Sequence, residues 1–124
     1  MPNRLQVTSV DALAGDCVIN AAGEELGTLE HIIVDVPRGR IAYAILGRGG
    51  VFGIGARLLA VPWNALIRDP GRQCFVLDIS RERLDSAPGF DRDHWPEMDD
   101  PRWARDIHDY YSTRPYWSEM TYAM

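Results

Sequence analysis

The chain has 124 residues, 46% hydrophobic and 25% charged, which are the proportions of one ordinary globular domain. Its 13 basic residues are all arginines, and 18 acidic residues bring the formal net charge to -5 at pH 7. Because the basic residues form no stripe, we expect no direct binding to nucleic acid. No apolar run is long enough to cross a bilayer, and residues 1–6 lack the apolar core of a secretion signal. We therefore expect a cytoplasmic protein without membrane insertion.

Six short apolar segments, separated by glycine and proline turns, occupy most of the first 80 residues. They are residues 16–20, 28–36, 41–46, 58–61, 67–69 and 73–79. A further strand with a short turn is expected over residues 7–13. No helical pattern interrupts the six segments, so neighbouring strands should be antiparallel. The predicted fold is mainly β: a small closed or partly open antiparallel β-barrel of about six short strands, formed by residues 1–80.

The two cysteines, Cys17 and Cys74, both fall in strand-like segments. Their spacing does not resemble a Cys-x-x-Cys metal knuckle. In a reducing cytoplasm we expect two buried free thiols rather than a disulfide.

A glycine-rich loop covers residues 47–55. It does not fit the dinucleotide fingerprint, because the third glycine position falls at Phe52 or Leu58. It does not fit the P-loop either, since Ala56 and Arg57 follow it and the chain has no lysine. The next residues form an apolar run that ends at Pro62, which is typical of a strand. We therefore interpret the loop as a connection within the barrel and expect Trp63 to be buried. The residues predicted to have structural roles are Gly39, Gly49, Gly50, Gly53, Gly55, Pro62 and Trp63.

Residues 81–124 form a C-terminal extension that is acidic and aromatic. Ser80 is a suitable cap for one helical turn over residues 81–84. Asp100 followed by Pro101 predicts the start of one short α-helix near residues 101–111, with an apolar face. Eight of the chain's twelve aromatic residues lie beyond residue 80. The predicted interface residues are Trp103, Tyr110, Tyr111, Tyr116 and Trp117.

Two interpretations of these aromatic residues stay open. They could contact another chain, as tryptophan and tyrosine often do, or pack on the chain's own barrel. Segments 28–36 and 41–46 are apolar on both faces, more than one small core needs. Something should therefore cover the outside of the barrel: the extension, a second copy or a partner.

The sequence offers only weak candidates for metal-binding or catalytic residues. The acidic segment offers carboxylates and imidazoles as metal ligands, but their spacing matches no EF-hand or other strong signature. The weak metal candidates are Asp91, Asp93, His94 and His108. His31 stands alone in a strand, and no Gly-x-Ser-x-Gly nucleophile motif is present. We therefore predict no catalytic residue, no cofactor and no enzyme activity.

The order of these signals resembles the PRC-barrel family. The similar stretches are residues 23–27, 33–35 and 39–46, the glycine-rich loop with Val61-Pro62-Trp63, and the closing strand that ends in Leu77-Asp78. The resemblance covers roughly residues 14–84, and the extension is similar to that of small free-standing bacterial members. The family includes the cytoplasmic barrel of the photosynthetic reaction centre H subunit and the C-terminal barrel of a ribosome maturation factor. We expect this protein to have neither the transmembrane helix of the first nor the preceding domain of the second, so neither specific role is transferred to it.

The resemblance implies a non-catalytic protein-binding or assembly module. We expect it to self-associate, most simply as a dimer, and to join a membrane or ribosomal protein complex. One alternative is an accessory protein of a photosynthetic or electron-transfer membrane complex. Another is a metal- or small-ligand-binding protein that uses the acidic extension.

Overall fold

The computed structural model describes residues 7–50, 55–69 and 71–120. Its strands are β1 (Cys17–Ile19), β2 (Glu25–Asp35), β3 (Arg40–Arg48), β4 (Arg57–Pro62), β5 (Leu66–Asp69) and β6 (Cys74–Leu77). Its helices are α1 (Val10–Leu13), α2 (Arg81–Asp85), α3 (Pro101–Tyr110) and α4 (Tyr116–Met120), and a 3₁₀ turn covers Trp63–Ala65. The predicted mainly β architecture with six strands is confirmed.

The six strands form one curved sheet, a half-barrel, in the order β4-β3-β2-β1-β6-β5. Four neighbouring pairs are antiparallel, as predicted, but β1 and β6 run parallel. The sequence pattern could not show this pair, because the two strands meet only when the first and last strands are brought together. The sheet is therefore mixed.

Local signals placed most elements correctly. Ser80 accepts a hydrogen bond from the backbone N–H of Arg83 at the start of α2, and Asp100 caps α3 in the same way through Arg102. The segment predicted as a strand over residues 7–13 instead contains α1, which Ser9 caps. The extension holds three helices: α2 at the predicted helical turn, α3 at the predicted helix, and α4, which was not predicted.

Strand β3 is buried on both faces between Ala42 and Gly47. Ala44 and Leu46 belong to the main core, whereas Ile45 packs on the opposite face against Leu58 and Ala60. The extension covers that opposite face with Phe90, Met98 and Trp103. Elsewhere in the extension, the side chains Leu84, Ala87, Ile107, Tyr111 and Tyr116 join the main core. The surplus of apolar surface in the central strands is therefore covered by the chain's own extension.

The expectation of two free thiols is wrong. Cys17 and Cys74 form a disulfide, with their Cα atoms 4.7 Å apart. They lie directly opposite each other in the parallel β1–β6 pair. Free thiols were expected because a reducing cytoplasm was assumed, and the pairing of β1 with β6, which brings the two cysteines together, was not predicted.

The glycine-rich loop joins the antiparallel strands β3 and β4, as a barrel connection should. Gly39, Gly49, Gly50 and Gly55 have φ values between 63° and 80°, so each adopts a conformation that side chains disfavour. Gly53 lies outside the described residues. Pro62 is fully buried, but Trp63 is only half-buried, because one side of its ring packs on Phe75. The prediction that Trp63 is buried was therefore too strong.

Candidate functional site: a groove beside the aromatic cluster

An aromatic cluster fastens α3 and α4 to the sheet. His108 of α3 is fully buried at its centre, 5.6 Å from the ring of Tyr43, 5.8 Å from Tyr116 and 5.2 Å from Trp117. Tyr43 also meets Trp103 edge-on at 5.2 Å. Such edge-to-face contacts add to the stabilisation that burial gives. We use "aromatic cluster" below for these five residues.

The buried polar atoms of the cluster are neutral groups. Nδ1 of His108 lies 2.7 Å from the carbonyl oxygen of Ala104, whereas its Nε2 is buried without a hydrogen-bond partner. Burial lowers the pKa of His108, because the imidazolium form would lose its hydration. Burial likewise raises the pKa of the Tyr43 hydroxyl. The cluster is therefore built to hold uncharged side chains.

Tyr116 connects this cluster to the turn between β2 and β3. Its hydroxyl donates a hydrogen bond to Oδ2 of Asp35, while the Arg40 guanidinium lies 5.1 Å from its ring centre. The Tyr116 hydrogen bond is the largest cause of the lowered pKa of Asp35, and Arg38 also contributes. Burial, followed by the bond to Asp35, raises the pKa of Tyr116 to about 12. At neutral pH the pair is thus a carboxylate and a neutral phenol.

A groove of about 620 Å³ lies beside this connection. One wall is the end of the β2–β3 hairpin, residues 33–38, and the other is formed by the start of α3 together with Tyr116 and Trp117. Val34 is 47% exposed and Val36 79% exposed, so apolar side chains on the hairpin are open to solvent. A concave, largely apolar surface of this size is typical of a binding site.

The groove also carries charged groups at its rim. Asp35 and Arg38 form an ion pair of 3.1 Å on the hairpin. Across the groove, the exposed side chains of Asp99 and Arg105 line the opposite wall. The groove therefore combines apolar walls with charges of both signs, which suits a polypeptide better than a purely apolar ligand.

The structure brings the five predicted interface residues onto the chain's own barrel. Tyr111 and Tyr116 are buried, whereas Trp103, Tyr110 and Trp117 are half-buried. Among the five, Tyr116 and Trp117 line the groove. Contact of any of them with another chain stays a prediction.

The weak metal candidates are not gathered at one place. Asp91 and His94 are neighbours, with Nδ1 of His94 2.7 Å from a carboxylate oxygen of Asp91, and both are exposed, as is Asp93. His108 is enclosed by the aromatic cluster. Within the described residues, no group of three or more histidine, cysteine or acidic side chains is arranged to hold a metal ion.

A larger opening of about 860 Å³ lies where the glycine-rich loop leaves the barrel, but its arginines are engaged. Arg48 donates to Asp85 at 2.8 Å and to the carbonyl oxygen of Leu26 at 2.6 Å. Arg57 donates to the carbonyl oxygens of Asp85 and Ala87. These contacts hold α2 to the ends of β3 and β4, so we assign this region a structural role.

Sequence analysis missed the hairpin side of the groove. Val34 and Asp35 were correctly placed in a strand, whereas Val36 lies in the turn that follows β2. The exposure of the two valines and the contacts of Tyr43 with the extension were not predicted. The available signal was the alternation Val34-Asp35-Val36 before a Pro-Gly turn, because it puts two large apolar residues at the exposed end of a hairpin.

These features define a small half-barrel whose helical extension leaves one apolar groove open along the hairpin. The family model of the PRC-barrel domain matches residues 8–84, so the chain belongs to the PRC-barrel family. No curated protein matches the chain. Within the described residues, no helix is long and apolar enough to cross a membrane.

A solved structure with a similar fold is that of RimM from Pseudomonas aeruginosa, named as a 16S ribosomal RNA processing protein. The identity is 17% and the TM-score 0.42, over 63% of this chain and 47% of that one. This chain thus matches about half the length of that protein.

Proposed function

We propose that this protein is a non-catalytic binding and assembly module that self-associates and holds a partner polypeptide in the groove. The observation that carries the proposal is the groove itself, with about 620 Å³ of space between apolar walls and two exposed valines on its hairpin side. The extension covers Ile45, Leu58 and Ala60 of the sheet but leaves this surface open. Exposed apolar surface beside rim charges is characteristic of protein-binding sites.

The ionisable groups beside the groove support a binding role rather than a catalytic one. Asp35 already accepts hydrogen bonds from Tyr116 and Arg38. His108 bonds to a backbone carbonyl through one nitrogen and is fully buried. These groups hold the hairpin and the helices together, so their chemistry serves the shape of the groove.

The family resemblance suggests two classes of partner. One is a ribosomal protein complex, and the other is a photosynthetic or electron-transfer membrane complex that is contacted through its proteins. The net charge of -5 favours a protein surface over nucleic-acid phosphate in either case. We propose the cytoplasm as the location.

The test is capture of the tagged protein from a native extract, with mass spectrometry of what co-elutes and light scattering of the particle. Arg105→Glu changes the charge on the groove wall, and Arg102→Glu is its matched control on the same helix, because Arg102 lies outside the groove. We expect a defined partner with the unmodified protein and with Arg102→Glu, and its loss with Arg105→Glu. Equal recovery with both variants would show that the groove is not the binding site.

A further inference from the structure

Half of strand β2 has an unpaired edge. Strand β1 pairs with Glu25, Gly27 and Thr28, and the backbone of Leu29 still bonds to Asp16 and Gly15. Beyond Leu29, β2 pairs only with β3 among the described parts of the chain. Residues 30–35 therefore present one row of backbone hydrogen-bonding groups without a neighbouring strand. Such an edge readily pairs with another strand.

The surroundings of this edge are partly open. A cavity of about 280 Å³ lies along Leu29–Ile33, between α1 and Trp95. At the other end of the edge, Val34 is 47% exposed and Val36 79% exposed. Val10 of α1, which borders the cavity, is 49% exposed. Apolar side chains thus flank the unpaired backbone at both ends.

We propose that a second copy of this chain occupies the edge, with the two β2 strands antiparallel and centred on Ile33. This inference rests on the self-association proposed above and specifies its geometry. In this register Ile33 lies opposite itself, and Ile32 lies opposite Val34 of the second copy. His31 then lies opposite Asp35 of the second copy, and the two-fold symmetry repeats each contact.

The sequence of the strand selects this register. A two-fold axis perpendicular to the sheet keeps each side chain on its own face, so it can pass at a residue but not between two consecutive residues. An axis at Ile32 would pair Leu29 with Asp35, and an axis at Val34 would pair Ile33 with Asp35. Within residues 31–35, only the axis at Ile33 matches apolar residues with apolar residues and the imidazole with the carboxylate.

Two side chains at the edge already have fixed neighbours within the chain. His31 is exposed and its ring meets Trp95 edge-on at 5.4 Å, which limits its orientations. Asp35 is held in place by Tyr116 and Arg38. An isologous dimer of this kind would join the two half-barrels into one continuous sheet.

Cysteine cross-linking tests the register. Residues directly opposite in an antiparallel pair have Cα atoms about 4.5–5.5 Å apart, within the range of a disulfide. We therefore expect Ile33→Cys to form a covalent dimer under mild oxidation. Ile32→Cys alone and Val34→Cys alone should form no covalent dimer, because the two copies of either residue are only diagonal neighbours. A mixture of the two variants should cross-link, because Ile32 of one copy lies opposite Val34 of the other. Ile67→Cys, exposed on β5, is the control for random collision and should not cross-link.

Light scattering of the unmodified protein separates the two possible failures. A particle of twice the 14.0 kDa chain mass, with the expected cross-links, supports the β2 dimer. The same dimeric mass without the Ile33→Cys cross-link, or with equal cross-linking of Ile67→Cys, would overturn this interface while leaving self-association intact. A particle of 14.0 kDa at the highest soluble concentration would overturn both self-association and the β2 dimer.

Discussion

The Tyr116 hydroxyl donates a hydrogen bond to Oδ2 of Asp35, a residue 81 positions earlier in the sequence. Asp35 ends β2, and Tyr116 begins α4, so this bond joins the β2–β3 hairpin to the last helix. Arg38 holds the same carboxylate through its backbone N–H and its guanidinium, both at 3.1 Å. The shape of the groove between these elements depends on this contact.

Replacing Tyr116 with phenylalanine should destabilise the fold at neutral pH by about 1.5–3 kcal/mol, since one hydrogen bond to a carboxylate is lost. The bond lowers the pKa of Asp35. Its stabilisation is therefore present above the unfolded pKa of the carboxyl and is lost as the pH falls through the lowered folded value. Urea unfolding of both proteins from pH 7 to about pH 3 should show the difference shrinking with acidity.

Tyr110→Phe is the matched control for this experiment. The Tyr110 hydroxyl donates to the carbonyl oxygen of Arg83, which does not titrate. Loss of this hydrogen bond should lower the free energy of unfolding by the same amount at every pH. If the Tyr116→Phe penalty is equally independent of pH, Tyr116 does not stabilise the ionised form of Asp35.

The free energy of unfolding should decrease in acid because His108 takes up a proton more readily in the unfolded chain. Burial lowers its pKa below the ordinary histidine value of about 6.5, so the unfolded chain takes up a proton at a higher pH than the folded one. The free energy of unfolding should therefore fall as the pH drops below 6.5, until the folded pKa is reached. His108→Phe retains an aromatic ring in the cluster but cannot titrate, so this part of the pH dependence should disappear.

Thermal melts from about pH 8 to about pH 5.5 measure this effect where few carboxylates titrate. His94→Gln is the control, because His94 is exposed and lies outside the aromatic cluster. It should keep the pH dependence of the unmodified protein. A His108→Phe protein that retains it as well would mean that another group is responsible.

Local chemistry made much of this fold predictable. The caps at Ser80 and Asp100, and the Pro-Gly turn between β2 and β3, act through a few neighbouring residues, and the structure contains all three. The apolar face of α3 was predicted for the same reason, and Ile107 and Tyr111 on that face are buried.

Long-range relationships were beyond the sequence pattern. The parallel β1–β6 pair and its disulfide bring together two strands whose cysteines are 57 residues apart in the sequence. Likewise, the groove forms where Tyr116 bonds to Asp35, and the sequence around either residue does not indicate that the two are in contact. The sequence correctly marked Tyr116 and Trp117 as unusual, but it could not say which surface they would line.

Gly27 marks a close approach of two strands. A Cβ atom there would lie 2.4 Å from the carbonyl oxygen of Gly47, which is backbone and has little freedom to move. Gly27→Ala should therefore destabilise the protein by roughly 2–3 kcal/mol. Gly23→Ala is the control, since its Cβ would meet open space and only its positive φ adds strain, about 1 kcal/mol. Urea unfolding should rank the two in this order, and equal losses would argue against the close β2–β3 contact.

The disulfide between Cys17 and Cys74 closes a segment of 57 residues. A cross-link over a segment of that length stabilises a fold by about 4 kcal/mol, mainly by restricting the unfolded chain. Reduction should therefore lower the melting temperature by roughly 10–20 °C. The variant with both Cys17→Ala and Cys74→Ala should melt near the reduced protein and should not respond to reductant.

The same bond tests the proposed location, because disulfides persist mainly in oxidising compartments. Cells are lysed in acid to stop thiol exchange, and free thiols are then alkylated and counted by mass. Two unmodified cysteines, together with a large effect of reductant on melting, would establish the bond in the cell and argue against a reducing cytoplasm. Two alkylated cysteines, with no effect of reductant on melting, would restore the free thiols that the sequence led us to expect. The half-barrel would then depend on backbone pairing alone to hold β1 against β6.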